Sequence, residues 1–399
     1  MNTNMIPIKV KYLFMLLLVS FLLLLVQSLR AQEPDPLRNY TLNGYLKYMN
    51  SIMDRKGTVW INESMFHNRL EFGLNPSPNI DAGASLTTRF IYGDWVESFP
   101  SYQELISMDH GYFHKLTSNL VEENSFLLNT SVDRLWMNMR RGKFEVRIGR
   151  QRINWGQAYV WNPNDIFNAY SFFDFDYEER PGSDAIRLMY YPSFTSSAEV
   201  SVKMNHDQEV TAAGYYRLNQ WGYDWQILGG IFNDDEYVAG LGWAGHINDA
   251  GFNGEITYLM PEKHFSDTSG ILLTTLSVNY MFNNALYLQF EGYYNGNFQY
   301  MDGNNFINYY YRPLTIKTLS FSEFSWFGQA SYPIHPLLEG TMAFMIFPDI
   351  EGFFINPSLQ YSLTDNVQLS AFAQLFEGKF SGENKERINF MFFRFKWSF

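Results

Sequence analysis

Cysteine is absent from all 399 residues, which excludes a disulfide framework, thiolate metal sites and a bacterial lipoprotein's lipidated cysteine. Basic charge is scarce: 29 Lys and Arg stand against 41 Asp and Glu. Phosphate contacts need a basic surface, so nucleic acid is excluded as a partner. Beyond the first thirty or so residues no apolar run reaches the roughly 20 residues of a membrane helix. The seven histidines, His67, His110, His114, His206, His246, His264 and His335, are scattered. None stands in a spacing that marks metal or triad chemistry, and no Gly-rich phosphate loop opens a helix. The expectation is a protein that is not an enzyme and needs no cofactor or metal.

What the chain has in quantity is aromatic. Tyr, Phe and Trp number 27, 36 and 10, yet the mean hydropathy is only −0.24. A barrel strand needs only every second residue apolar, so a membrane barrel stays quiet on hydropathy while carrying aromatics for its interfacial girdles. The one strongly apolar run is at the start. Lys9 and Lys11 precede an apolar core from Tyr12 to Val26, and Ala31 offers a small residue for cleavage. Residues 1–31 read as a secretory signal peptide and 32–399 as a single barrel domain.

The periodicity after Gln32 is two, not 3.6. Ala198, Val200, Val202 and Met204 share one face, with Glu199, Ser201 and Lys203 on the other. Val367, Leu369, Ala371, Ala373 and Leu375 alternate with Gln368, Ser370 and Gln374 in the same way. A wholly apolar face at period two is a strand signature. Such segments recur near 40–50, 62–73, 80–92, 126–140, 143–153, 183–192, 196–205, 209–219, 222–232, 236–248, 250–259, 271–283, 285–295, 317–331, 337–347, 351–363, 365–377 and 386–399. Most are about 10–14 residues long, enough to cross a bilayer when tilted and longer than typical soluble strands.

Connections sort in part by length, three outer ones near 206–208, 233–235 and 348–350 being short. Long ones fall near 93–125, 154–182, 260–270 and 296–316, and with periplasmic termini all four lie on the outer side. Tight turns such as Arg141-Gly142, Asn248-Asp249 and Asn283-Asn284 then lie on the inner side, the usual arrangement of outer-membrane barrels. The expected fold class is therefore all-β: a transmembrane antiparallel up-and-down barrel of about 18 strands, within a range of 16 to 18, with long extracellular loops. A short helix is expected around Ser101 to Met108 inside the first long connection.

If the apolar face of each strand meets lipid, the other face lines a lumen. That places Arg69 and Glu71, Arg89, Glu145 and Arg147, Arg187, and Glu199 and Lys203 inside, with Arg134 on a strand that alternates poorly. Two meanings fit these charges: a hydrated lumen of compensating pairs, or a basic ladder at a constriction that attracts anionic solutes. In the last strand Met391, Phe393, Phe395, Trp397 and Phe399 share one face, opposite Arg394, Lys396 and Ser398. Phe395, Trp397 and Phe399 in that spacing resemble the C-terminal signal read by the barrel-assembly machinery.

The run from Arg147 to Gly156 stands apart, with three arginines, Gly149-Arg150-Gln151 and then Trp155-Gly156, leading into Trp161-Asn162-Pro163-Asn164-Asp165. It resembles a motif of outer-membrane barrel families that include alginate-export-type porins and capsule-assembly barrels, and a proteobacterial family whose motif continues into an Asn-Pro loop. The resemblance covers about 20 residues. It implies a channel or surface barrel in which this segment sits where a loop folds inward, with Arg150, Arg152 and Trp155 near a narrowing. The loop that follows is rich in aromatics, Trp155, Tyr159, Trp161, Phe167, Tyr170, Phe172 and Phe173 among them. A fully exposed loop so apolar would be an aggregation hazard. Folded into the barrel mouth it is a constriction loop; left at the rim it is a surface that stacks glycan.

The sequence thus points to a porin-like channel of the Gram-negative outer membrane for passage or export of small solutes, anionic or hydrophobic ones included. Its pore-lining residues would be Arg69, Arg89, Arg147, Arg150, Arg152, Trp155, Arg187 and Lys203. Its expected partners are outer-membrane lipid, the assembly machinery, the solute and a periplasmic export partner. The competing reading is a surface polysaccharide-binding barrel without an open pore.

Overall fold

The structure, a computed structural model, describes residues 39–55, 60–99, 101–107, 111–173, 179–262, 270–298, 314–379 and 384–399. The expected leader at 1–31 and cleavage beside Ala31 lie outside the described residues.

The strands are β1 (Tyr40–Arg55), β2 (Ile61–Ser77), β3 (Ile80–Gly93), β4 (Thr117–Glu122), β5 (Phe126–Arg141), β6 (Phe144–Gln151), β7 (Ser183–Ser193), β8 (Ser196–Met204), β9 (Val210–Gln220) and β10 (Tyr223–Phe232). They continue as β11 (Glu236–Ile247), β12 (Ala250–Pro261), β13 (Ile271–Met281), β14 (Tyr287–Asn295), β15 (Phe324–His335), β16 (Leu338–Phe347), β17 (Gly352–Thr364), β18 (Val367–Gly378) and β19 (Glu386–Ser398). Each pairs antiparallel with its neighbour in sequence, β4 aside, and β19 pairs with β1 from Tyr45↔Ser398 to Arg55↔Ile388. The result is a closed antiparallel barrel of 18 strands. Closure is finished by two reciprocal backbone bonds: Gly44 N–H to Phe399 O and Phe399 N–H to Gly44 O, both 2.9 Å.

The packing inverts that of a soluble protein. Leu135, Ile186, Leu188, Val200, Ile227, Leu276, Phe290, Trp326, Phe344 and Phe393 are exposed on the outside, while Glu199, Ser201, Glu255, Thr257, Thr275, Ser277 and Glu291 are buried inside. An apolar outside and a polar inside are stable only with lipid around the wall and water or protein within it. Tyr223, Trp225, Trp243 and Phe252 form a chain of outward rings at the short-turn end, with successive centroids 5.9, 6.5 and 5.9 Å apart. That is an interfacial girdle. Tight turns use left-handed backbone: Trp221 and Gly222 have φ of 57° and 79°, and Asn233 and Asp234 have 50° and 58°. Two successive positive φ values match the twist of the flanking strands.

Three local features differ from the expected pattern. The segment expected as a strand over 317–331 begins only at Phe324. Residues 314–323 instead turn inward, with a 3-10 turn at Ile316–Thr318 and with Ile316, Leu319 and Phe321 buried. Their apolar spacing is used against the lumen filling rather than lipid. In β5, Ser85 pairs Arg134 while Leu86 pairs Val132, leaving Asp133 as a bulge. A bulge shifts alternation by one residue, which explains why the Arg134 strand alternates poorly in sequence. Finally, β4 lies within the first long connection and pairs with the upper part of β5, Thr117↔Ser131 to Glu122↔Leu127. The short helix expected there is α2 (Ser101–Ile106), preceded by α1 (Asp94–Ser98).

Candidate functional site

β6 ends at Gln151, and the chain then leaves the wall and enters the lumen. Gly149 makes the departure possible. Its φ is +111°, and a Cβ there would run into the carbonyl oxygen of Leu135. Gln151, almost wholly buried, donates from Nε2 to the carbonyls of Arg147, Gly149 and Ala185 at 3.2, 3.3 and 3.1 Å. Arg150 holds the breach shut. Its Nε and Nη2 donate to the two oxygens of Asp184 at 2.8 and 3.0 Å, and its Nη1 donates to Val132 O at 3.0 Å. The guanidinium also lies 3.7 Å from the ring centroid of Tyr112. The segment around Tyr112–Leu116 fills the place in the wall that β6 vacates, with Val132 N–H donating to Leu116 O at 3.1 Å.

Arg150 therefore corrects the sequence expectation. Its ladder partners are Leu135 and Asp184, and Leu135 and Ile186 of that row are more than half exposed outward. It sits in the wall, beneath the Tyr112–Leu116 segment, and not on the lumen face. Arg147, three residues earlier, does face the lumen. It stacks on Trp136 at 4.5 Å, stands opposite Arg187 in the ladder, and pairs with Glu145 at 3.5 Å.

Once inside, the loop is held by the wall on several sides. Glu255 on β12 accepts the backbone N–H groups of Gln157, of Ala158 at 2.7 Å and of Asn164 at 2.8 Å. Glu291 on β14 accepts those of Tyr159 at 3.1 Å, Val160 at 3.1 Å and Trp161 at 2.7 Å. Both carboxylates are buried; Glu291 serves three successive N–H groups, and Glu255 two successive ones and that of Asn164, concave anion-binding arrangements. Thr257 donates to Asn164 Oδ1 at 2.7 Å and Thr275 to Trp161 O at 2.9 Å. Lys203 Nζ donates to Phe167 O at 2.7 Å.

The aromatic side chains of the loop are buried rather than presented. Trp155, Trp161 and Phe167 are each 2% exposed. Trp155 donates from Nε1 to Glu199 at 3.1 Å, and Trp161 stacks on Tyr293 with centroids 5.5 Å apart. Phe172 and Phe173 reach the opposite wall, where Phe173 packs edge-on against Phe354 at 5.1 Å and Phe321 at 5.0 Å. The loop thus spans the lumen from β6 to β18, where Gln374 Nε2 donates to Phe173 O at 3.1 Å. Asp174, Asp176 and Glu178, which follow, lie outside the described residues.

The remaining expected lumen charges fall mostly into pairs. Arg187 makes a bidentate contact with Glu199, 2.8 and 2.6 Å. Arg69 binds Asp133 at 2.9 Å, Glu179 of the returning loop at 2.8 Å, and Glu71. Arg152 bonds Asn154 at 2.9 Å at the start of the loop. Arg89 faces inward beside its ladder partner His67. At the short-turn end a lumenal cavity of about 410 Å³ remains, lined by Tyr45, Glu71, Glu179, Lys396 and Phe399 among others. Glu255 and Glu291 are not among the residues singled out from the sequence, because their partners lie about a hundred positions or more away.

Asp165 is fully buried in the loop, and burial pushes its carboxyl up to about 7. One of its oxygens accepts the N–H of Trp155 at 3.3 Å, and the other has no partner among the described residues. Among the described residues no group of three or more His, Asp or Glu could hold a metal ion.

No family model matches the chain, and no curated protein matches it either. Solved structures do. OccK11 (OpdR) of Pseudomonas aeruginosa superposes with a TM-score of 0.57 at 9% identity, covering 90% of this chain and 96% of that one. OccAB2 of Acinetobacter baumannii gives 0.55 at 10%, covering 90% and 98%. OpdQ of Pseudomonas aeruginosa gives 0.53 at 8%, covering 91% and 100%. The chain shares the fold of these barrels over about 90% of its length. That architecture, with its apolar exterior, is the outer-membrane type.

Proposed function

We propose that this barrel is an outer-membrane channel for small solutes in which the inward loop, residues 152–173, forms the constriction. The observation that carries the reading is the pair of buried wall carboxylates, Glu255 and Glu291, holding six backbone N–H groups of one loop. A loop fastened by its backbone keeps its position whatever side chains it carries. It narrows the lumen permanently rather than lying at the rim. The shared fold with the Occ and Opd barrels supports a porin-like channel; the narrower kinship with alginate-export and capsule-assembly barrels rests on the Gly149-Arg150-Gln151 and Trp155-Gly156 motif alone.

Passage is passive in this reading and uses no cofactor. Lumenal charge is largely paired, so selectivity comes from a mixed field, with Arg147, Arg187, Arg89 and Lys396 facing Glu145, Glu199 and Glu71. Phe395, Trp397 and Phe399 serve as the assembly signal, and a periplasmic partner supplies the solute if the flow is outward. Burial of Trp155, Trp161 and Phe167 weighs against a polysaccharide surface built on this loop, since stacking needs exposed rings.

Deleting residues 158–173 and recording single-channel conductance in planar bilayers tests the proposal. A clear rise in conductance is expected. Conductance equal to that of the intact protein would reject the loop as the constriction.

A further inference from the structure

A second polar site lies on the outside of the wall, where lipid is expected. On β18, Phe376 is buried inward, so Glu377 points outward. On β19, Ile388 is buried inward, so Arg387 and Asn389 point outward. On β1, Met53 is buried inward, and Asp54 pairs with Asn389 in the ladder on the same outer face. These residues, with Lys385, line a cavity of about 570 Å³. β1, β18 and β19 all terminate here at the long-loop rim, so the charges sit at the interface rather than at mid-depth. Charge on the lipid face costs little there.

We propose that this cavity binds the headgroup of a membrane lipid carrying both a phosphate and a primary ammonium. The chemistry of the lining divides in two. Lys385 and Arg387 supply the cations that a phosphate requires. Asp54, Glu377 and the amide oxygen of Asn389 supply acceptors for an ammonium. Asn389 Nδ2 donates to Asp54 at 3.3 Å, while its Oδ1 is buried with no partner among the described residues, an acceptor still open to a donor. A donor placed there gains a hydrogen bond to a buried acceptor.

The source is a lipid rather than a free solute because the outward rows continue from the cavity into apolar surface. Next along them come Leu375, Met391, Phe393 and Ile52, with Met391 and Phe393 exposed. Headgroup in the cavity and acyl chains along that strip is the arrangement an amphiphile needs. This inference rests on the membrane-barrel reading but not on the channel or its loop.

The test is native mass spectrometry of the barrel extracted from bilayers of equimolar phosphatidylethanolamine, phosphatidylcholine and phosphatidylglycerol with identical acyl chains. One retained phosphatidylethanolamine is expected, in several-fold excess over the other two. Choline carries the same charge but no N–H, and glycerol carries no cation. In the double variant Lys385→Gln, Arg387→Gln the retained lipid is lost. In Asp54→Asn, Glu377→Gln the preference over phosphatidylcholine disappears. Equal retention of the three lipids, or the same preference in both double variants, would overturn the proposal. Displacement by free phosphoethanolamine as readily as by lipid would assign the cavity to a soluble ligand and overturn it too. A barrel that never enters the bilayer would instead defeat the membrane reading beneath it.

Discussion

Glu291 and Trp161 lie 130 positions apart in sequence, yet the Glu291 carboxylate accepts the Trp161 backbone N–H at 2.7 Å. Two residues along the same strand, Tyr293 stacks on the Trp161 ring. One stretch of β14 therefore holds both the backbone and the side chain of the inward loop at a single point. Position there does not depend on the loop's own stiffness.

Removing that anchor should release the loop. Glu291→Ala strips the acceptor from three N–H groups, and hydrogen bonds to a charged group are worth about 1.5–3 kcal/mol each. Higher mean conductance and added gating noise are expected in single-channel records, with Glu291→Gln milder because it keeps one acceptor oxygen. Quiet, unaltered records from the alanine variant would show that the loop is held elsewhere.

Arg150 and Arg147 should separate stability from selectivity. Arg150→Ala leaves Asp184 without its bidentate partner in the wall, and breaking such a buried pair costs about 3 kcal/mol or more. The temperature at which the barrel loses its compact, folded gel mobility should fall, with ion preference unchanged. Arg147→Ala should do the reverse, leaving Tm nearly alone and shifting the reversal potential toward cation preference.

Acidity should tighten the loop through Asp165. In the unfolded chain this carboxyl titrates near about 3.9, and in the buried loop near 7. The folded protein therefore binds the proton more strongly. The favourable contribution is complete below the unfolded value and is lost as pH rises through the folded one. Open-state noise should increase between roughly pH 4 and pH 7, and Asp165→Asn should flatten that profile. A profile identical in the variant would remove Asp165 from the account.

Gly149→Ala tests the departure of the loop from β6. A side chain at φ +111° is strained and meets the Leu135 carbonyl. A loss of about 1–3 kcal/mol is expected in urea unfolding of the refolded barrel. An unchanged midpoint would mean the backbone can turn inward without glycine.

Much of the wall was legible because its cause is local. Val200 and Val202 against Glu199 and Ser201 repeat at period two, and lipid on one side enforces the repeat. Where a local rule is broken by a distant partner, the pattern fails. Asp133 bulges out of β5 toward Arg69, so alternation counted through it goes astray. Residues 314–323 have strand-like apolar spacing but spend it on Phe173 and Trp161 inside the lumen.

By itself the sequence determined the all-β class, the near strand boundaries, the sorting of long and short connections, and the aromatic outer face of β19, since each follows from neighbours a few residues apart. The tertiary structure alone decided which arginines face the lumen and what fastens the loop. Arg150 looked like a pore residue until the chain left the wall beside it and Asp184 closed the gap. Glu255 and Glu291 take their role only from barrel closure, which brings them against the backbone of 157–164. Those roles depend on a closed ring of 18 strands, which brings together residues that no short window of sequence contains.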